Sequence, residues 1–355
     1  MPRRIVKRKR SIICRSREDS ERFTISGQPY VTDRSNGNYD MIINSVADYI
    51  PDFVIPNEYF FANYGITDNE IFSKSGIKQR RRTRPDENTN SMAIEAVKKV
   101  FFNLPFSINE IDLIIGATYT PYDTAGTLAH AVQKQFHICH AKCFTIDSAC
   151  SSFVNAIEIV DCYLARKKAS KALIVISENN SAYSDDSDKK SGFLFGDGAA
   201  AVLITNQRYS ANDIEIIDVN TTGLGHIGKS IDAVYVRPNN GGIRMPFGRD
   251  VFRYACTYML FETEQILIKN NIPLSQLNYF IPHQANARIT DCVTKKLNLE
   301  QSRVLTNIEQ LGNTGSASTP IVLSRNMGKY KQDDIIVISV FGGGYSSGAV
   351  LLRKL

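Results

Sequence analysis

Short, nearly continuous apolar runs recur from Met41 to the C-terminus. MIINSVADYI (41–50) reads as a first strand. IDLIIGATY (111–119), AKCFTID (141–147), KALIVISE (171–178) and GAAAVLIT (198–205) follow. Apolar on both sides of the pleat, they predict strands covered on two faces. Between them the apolar period turns helical, in NSMAIEAVKKVFF from about Asn90, in GTLAHAVQKQF and in SSFVNAIEIVDCYLARKKA. In the last of these Phe153, Ile157, Val160 and Leu164 fall on one helical stripe.

The pattern then restarts. IEIIDVNTT (214–222) reads as a strand and Asp250 to Asn270 as a long helix. NYFIPHQ (278–284), a helix over ANARITDCVTKKLN, DDIIVISVFGGG (333–344) and SGAVLLRKL complete it. Alternating strands and helices predict a layered α/β fold. DLIIGATYT echoes LNYFIPHQA, and ALIVISENN echoes IIVISVFGG. Two similar halves are therefore expected, 41–210 and 211–355, after a basic, flexible extension over 1–40.

Charge narrows the picture less than its total suggests. The net +6 is concentrated in residues 1–40, which hold ten Lys or Arg and five Asp or Glu. A tail explains this without a nucleic-acid site, and no basic and aromatic pattern elsewhere supports one. No run reaches the ~18 apolar residues of a membrane span, and MPRRIVKRKR offers no apolar leader core. A cytoplasmic location is expected. Seven cysteines without a secretion signal argue against a disulfide framework. Cys139 and Cys143 lack further ligands at zinc spacing, so no metal is expected.

A reducing setting leaves room for a reactive thiol. Cys150, in TIDSACSSF, stands where a strand gives way to a helix. Unpaired N–H groups and the positive helix end favour thiolate there and predict a lowered pKa. A buried structural cysteine fits the same place. His283 follows an apolar strand, where open α/β sheets gather ligands, but a polar loop residue reads the same way. Asn313, in LGNTGSAS, announces a turn. Gly342, Gly343 and Gly344 allow close backbone approach after a strand and suit an oxyanion hole or a tight hairpin. Gly196-Asp197-Gly198 reads as a hairpin turn between FLF and AAAVLI, without chemistry.

Together these motifs are far more specific. DSACSSF, LFGDGAAAVL, PHQANARI, GNTGSAS and FGGGYSSG stand in the order and spacing of the thiolase-like condensing enzymes. Over 41–355 the chain resembles the 3-oxoacyl-(acyl-carrier-protein) synthase III group. SGIKQRRR and MPFGRDVFRYA extend the likeness. The resemblance implies a duplicated five-layer αβαβα fold and a Claisen-type condensation. Cys150 would take an acyl group from a thioester, its oxyanion held by the N–H groups of Cys150 and Gly344. His283 and Asn313 would bind the carbonyl of a malonyl- or 3-oxoacyl-thioester as it becomes an enolate. Substrate contacts are implied at Asn286 and Phe153. No cofactor is implied beyond acyl-carrier-protein or coenzyme A thioesters, and a homodimer is expected.

A degradative thiolase needs a second cysteine near the C-terminus, and none follows Cys292. No matching catalytic Glu motif supports a hydroxymethylglutaryl synthase. The terminal glycine motif also lacks the Pro usual in plant-type polyketide synthases.

Departures from the housekeeping pattern suggest a particular member. Where that family stacks a Trp on adenine this chain has Glu70, and its nucleotide-pairing basic positions are Lys74 and Lys189. Lysine lacks the planar fork of arginine, which points towards a carrier-protein donor. Arg253, Arg288, Lys295 and Lys296 form the expected docking patch, Lys295 and Lys296 lying seven and eight residues after Arg288. Ala125 falls where the family often closes the acyl tunnel from across the dimer. A small residue there suggests medium or long chains, in fatty-acid, dialkylresorcinol-like or polyketide synthesis. Two other readings stay open: acyl transfer to an oxygen or nitrogen acceptor, and a catalytically silent partner in a heterodimer.

Overall fold

The strand-like runs of the sequence become strands in the computed structural model, which describes residues 40–102, 104–239 and 241–355. The basic extension, apart from Asp40, lies outside the described residues. The chain begins with β1 (Ile42–Tyr49), β2 (Phe53–Pro56), α1 (Asn57–Tyr64), α2 (Asp68–Ser75) and β3 (Gln79–Arg82). Then come α3 (Thr89–Phe101), β4 (Leu113–Ala117), α4 (Leu128–Phe136), β5 (Lys142–Ile146), α5 (Ser152–Ala165), β6 (Lys171–Glu178) and β7 (Gly198–Thr205). The second half holds β8 (Ile214–Gly223), β9 (Tyr235–Arg237), β10 (Gly242–Arg244), α6 (Gly248–Lys269), β11 (Leu277–Pro282) and α7 (Ala287–Leu297). It closes with α8 (Ile308–Leu311), α9 (Ser318–Arg325), β12 (Ile335–Gly342) and β13 (Ser346–Lys354).

Hydrogen bonds join nine strands in the order β11-β12-β13-β8-β1-β7-β6-β4-β5. Within this sheet the halves pair through β1 and β8 at two residue pairs, Ile42 with Glu215 and Ile43 with Ile214. Each half repeats one topology. In the first, β4 lies parallel to β5 and β6, and β7 and β1 continue antiparallel. In the second, β11 and β12 are parallel, then β13 and β8 antiparallel. The counterpart of β5 is reduced to a single parallel bridge, Val304 to Phe280.

Side-chain alternation sorts the core into layers. Leu113, Ile115, Ile174, Val202, Ile338 and Val350 face one central cluster. Ile114, Leu173, Val175 and Leu203 face an outer cluster under α3 and α4. Val337, Ala349 and Leu351 face the other outer cluster, under α6 and α7. The central cluster is filled by α5 and α9. The result is α, β, α, β, α, the duplicated five-layer architecture expected from the sequence. The stripe of Phe153, Ile157, Val160 and Leu164 is buried in the middle layer, each side chain contributing ~1.5–3 kcal/mol. That layer fixes where α5 starts, and so where Cys150 stands. Among the described residues no helix is long and apolar enough to cross a membrane.

Candidate active site

Parallel strands point their carboxyl ends at one region. Thr118 to Thr120 follow β4, Asp147 to Cys150 follow β5, Glu178 ends β6, His283 follows β11, and Gly342 ends β12. Ligand sites of layered α/β folds form at such ends.

The turn before α5 is built by its small residues. Asp147 Oδ1 accepts the N–H of Ala149 at 2.8 Å, and Ser152 Oγ accepts that of Ser148 at 2.8 Å. Ser151 donates its hydroxyl to Ser148 O at 2.7 Å. Ala149 is left-handed, at φ 49°, a conformation a residue with a Cβ keeps only when its surroundings impose it. Strand β12 supplies the floor. A Cβ on Gly342 would stand 2.9 Å from Ser151 N, 3.0 Å from Ser148 O and 3.1 Å from Cys150 N. Only glycine lets the two backbones meet so closely.

One expectation about the thiol needs correction. The sulfur receives the N–H of Gly343 together with that of Cys150 itself. The carbonyl of Gly344 is turned to the hydroxyl of Ser230. The resting thiol is not acidic. Burial, then the carboxylates of Glu178 and Asp147, push it up to about 12, against the pull of those two N–H groups. Desolvation disfavours the charged form more strongly than the start of α5 favours it.

His283 is 2% exposed and donates its backbone N–H to Ser339 O at 2.8 Å. Ser339 and Gly342 are three residues apart on β12, about 10 Å, so imidazole and thiol share that strand's end. Nδ1 lies 2.8 Å from Ser318 Oγ, which itself accepts the N–H of Gln284 at 3.4 Å. Ser318 thereby holds Nδ1 and leaves Nε2 as the ring nitrogen open to a substrate. Burial pushes the imidazole down to about 4, so it is neutral at pH 7. A consequence for stability follows. An unfolded imidazole binds its proton below about 6.5, the folded one only below about 4. Unfolding between those values takes up a proton, so stability falls as pH drops from 6.5 towards 4, by up to roughly 3 kcal/mol. Urea midpoints across that range should show this slope, and His283→Gln should remove most of it. An equal slope in the variant would place its origin elsewhere.

Asn313 is aimed by its neighbours. Its Oδ1 accepts the N–H of Gly315 at 2.9 Å, which leaves Nδ2 as the outward donor. Its backbone N–H reaches Leu194 O at 2.9 Å, and its carbonyl accepts Gly196 N at 3.0 Å and Asn180 Nδ2 at 3.3 Å. The Gly196-Asp197-Gly198 segment is thus no simple hairpin. Phe195 bridges to Asn313, and a Cβ on Gly196 would lie 2.1 Å from Leu311 O. Asp197, fully buried, accepts the N–H groups of Ser181 and Thr83, each at 2.8 Å. A glycine and an acid before a run of small residues were the signals of this close approach.

Sequence reasoning missed Glu178. Its carboxylate accepts Thr120 Oγ1 at 2.6 Å, Thr118 Oγ1 at 3.2 Å, the N–H of Tyr119 and the hydroxyl of Ser316. Burial still pushes it up to about 8, so it is mostly protonated at pH 7 and repels a thiolate less. The network ties the ends of β4 and β6 to the turn after Asn313. The signal was an acid closing the apolar run KALIVISE.

The remaining expected residues fall elsewhere. Phe153 is fully buried in the middle layer. Asn286 caps α7, its Oδ1 accepting Arg288 N at 2.8 Å, while its Nδ2 reaches Lys74 O at 3.0 Å. Ala125 lies in an exposed loop shaped by Asp123, whose carboxylate accepts the N–H groups of Ala125 and Gly126 at 2.7 and 3.0 Å. Glu70 closes a capping box with Thr67 at the start of α2, in the fields of Lys74 and Lys189. Arg253 is exposed on α6, and Arg288, Lys295 and Lys296 are exposed on α7, which packs against it.

Comparison with known proteins gives a consistent result. Residues 144–223 match the family model of 3-oxoacyl-[acyl-carrier-protein] synthase III, and residues 267–354 match the model of its C-terminal part. A β-ketoacyl-[acyl-carrier-protein] synthase III of Aquifex aeolicus is 35% identical over 307 residues, covering 86% of this chain and 96% of its own. The crystal structure of 3-oxoacyl-[acyl-carrier-protein] synthase III from Aquifex aeolicus VF5 superposes with TM-score 0.82 at 34% identity, over 88% of this chain and 99% of that one. The priming β-ketosynthase of the R1128 polyketide biosynthetic pathway superposes with TM-score 0.81 at 25% identity, over 89% and 97%.

Proposed function

Since the chain belongs to the 3-oxoacyl-(acyl-carrier-protein) synthase III family, condensing acyltransferases of fatty-acid synthesis, we propose how its residues divide the reaction. Cys150 attacks the carbonyl of an acyl thioester, and its proton leaves with the departing carrier thiol. The tetrahedral oxyanion sits between the N–H groups of Cys150 and Gly343. A malonyl thioester then enters. The Nε2 proton of His283 and the Nδ2 of Asn313 hold its carbonyl while CO2 leaves and the enolate forms. The enolate carbon attacks the acyl carbon on Cys150, the C–S bond breaks, and the released thiolate regains a proton. Each donor aimed at the enolate oxygen is worth ~3–4 kcal/mol, as in other oxyanion holes.

The observation that carries this reading is a pair of oriented neutral groups. Ser318 holds Nδ1 of His283 and Gly315 donates to Oδ1 of Asn313, which leaves Nε2 and the Nδ2 amide for the substrate. The test is mass spectrometry of products from acyl- and malonyl-carriers. A 3-oxoacyl product two carbons longer than the acyl donor, with release of CO2, is expected. Transfer of an intact acyl group to oxygen or nitrogen without CO2 would overturn the reading.

The donor in this proposal is an acyl carrier protein, drawn to Arg253, Arg288, Lys295 and Lys296 by its acidic surface. Glu70, engaged in the capping box with Thr67, has no ring of its own to stack on adenine. The loop of Ala125 reaches the tunnel of a second copy in a homodimer, where a methyl group leaves room for a medium or long chain. Each further buried CH2 contributes ~0.8 kcal/mol, about a fourfold preference. Ala125→Phe should cut kcat/KM for acyl chains of about eight carbons or more and spare short donors. A wild type that already prefers acetyl, or a variant with an unchanged chain-length profile, would make Ala125 only a loop residue.

A further inference from the structure

Two thiols that the condensation does not use meet where α6 packs against α7. Cys256 is 3% exposed in the outer core beneath these helices, and Cys292 is half-buried against the same core. The two side chains are hydrogen-bonded to one another, and no disulfide joins them. Cations surround the pair. Arg253 precedes Cys256 by three residues on α6, and Arg288 precedes Cys292 by four on α7. Lys295 and Lys296 follow Cys292 by three and four, on the same helical face. The bond from Cys256, then the lysine fields, pull Cys292 down to about 6 against its partial burial. Cys150 is pushed the opposite way, to about 12. Burial likewise raises Cys143, to about 11, and Cys162.

We propose that Cys256 and Cys292 form a redox modification site, in which a peroxide oxidises Cys292 and Cys256 then closes a reversible disulfide between α6 and α7. In the first step the sulfur of Cys292 displaces hydroxide from hydrogen peroxide, giving sulfenic acid and, after protonation, one water. In the second the Cys256 thiol attacks that sulfur, forming the S–S bond and releasing a second water. The two sulfurs lose two electrons in total and the peroxide gains them. A dithiol reductant reverses the bond through a mixed disulfide. Contact between the two thiols sets this pair apart. The partially exposed sulfur of Cys292 meets the oxidant, and the buried one of Cys256 lies against it as the resolving thiol. Oxidation there ends in a disulfide that leaves the catalytic thiol untouched.

The test uses the full-length protein, reduced and freed of reductant, then exposed to rising hydrogen peroxide at pH 7. Remaining thiols are alkylated and the digest is analysed by mass spectrometry. The expected product is one peptide pair joined through Cys256 and Cys292, formed before Cys150 loses its capacity for alkylation and removed by dithiothreitol. Cys256→Ser should block the cross-link and leave a sulfenic acid on Cys292 that dimedone traps. Cys292→Ser should show neither product. Oxidation of Cys150 ahead of the pair would overturn the proposal, as would a wild-type protein that accumulates sulfenic acid on Cys292 without closing the bond. Far-ultraviolet circular dichroism of both variants checks that each is folded, and since the serine substitutions are nearly isosteric, a failure to cross-link in wild type alone decides the matter.

Discussion

Cys150→Ala should abolish acylation by any thioester and reduce condensation by at least about a thousandfold, as removal of a covalent nucleophile does in other enzymes. The fold should survive. The turn before α5 is held by hydroxyls and backbone of Ser148, Ala149, Ser151 and Ser152 and by its contact with Gly342, none of which needs the sulfur. Loss of one buried atom costs about 1 kcal/mol, a few degrees of Tm in a chain this long. Intact-protein mass spectrometry after incubation with an acyl donor is the direct measurement. An adduct that persists in the variant, on a peptide with another cysteine, would remove Cys150 from the reaction.

Asn313 should affect only the second half of the reaction. Asn313→Ala should acylate at nearly the wild-type rate and condense ~10²–10³-fold more slowly, the effect of losing one oxyanion donor. Alanine also strands the N–H of Gly315, which Oδ1 now accepts at 2.9 Å, a further cost of about 1–3 kcal/mol in stability. Asn313→Asp separates the two effects, since it keeps an acceptor for Gly315 and loses the donor. Rapid-quench measurement of acyl-enzyme and product distinguishes the steps. If both half-reactions fall equally in the aspartate variant, the asparagine does not act on the enolate.

The sequence was most legible where burial was most complete. KALIVISE and GAAAVLIT are β6 and β7 to the residue, because each is covered on both faces and has one way to lie. The short pieces between β1 and α3 were not legible. There QRRR becomes β3, although a run of arginines looks like a solvated surface. Arg80 is instead fully buried, donating to Ile55 O at 3.1 Å, Asn57 Oδ1 at 2.9 Å and Phe193 O at 2.7 Å over the ring of Phe60. Partners so far apart in the chain leave no local trace.

The candidate site divides similarly. Cys150, His283 and Asn313 could be named because each stands in a motif at an element's end. The resting state of the thiol was misread because the start of α5 is visible in sequence, whereas burial of the sulfur and then the field of Glu178 are not. That carboxylate lies 28 residues along the chain and on another strand.

The halves of the chain hold one another's catalytic groups. The thiol belongs to the first half, yet its turn rests on Gly342 of the second. The donor asparagine belongs to the second, yet Leu194 and Gly196 of the first hold its backbone. Chimeras with a relative are easily joined in the exposed stretch 206–212, and each half brings its own strands and helices. The two seams at the centre would nevertheless be foreign to one another. A shift of a few tenths of an ångström at Gly342 misplaces the nucleophile, and one at Gly196 misplaces the donor. Such hybrids should fold yet lose both half-reactions together, unless the Leu194–Gly196 and Gly342–Gly344 segments are exchanged with the partners they touch.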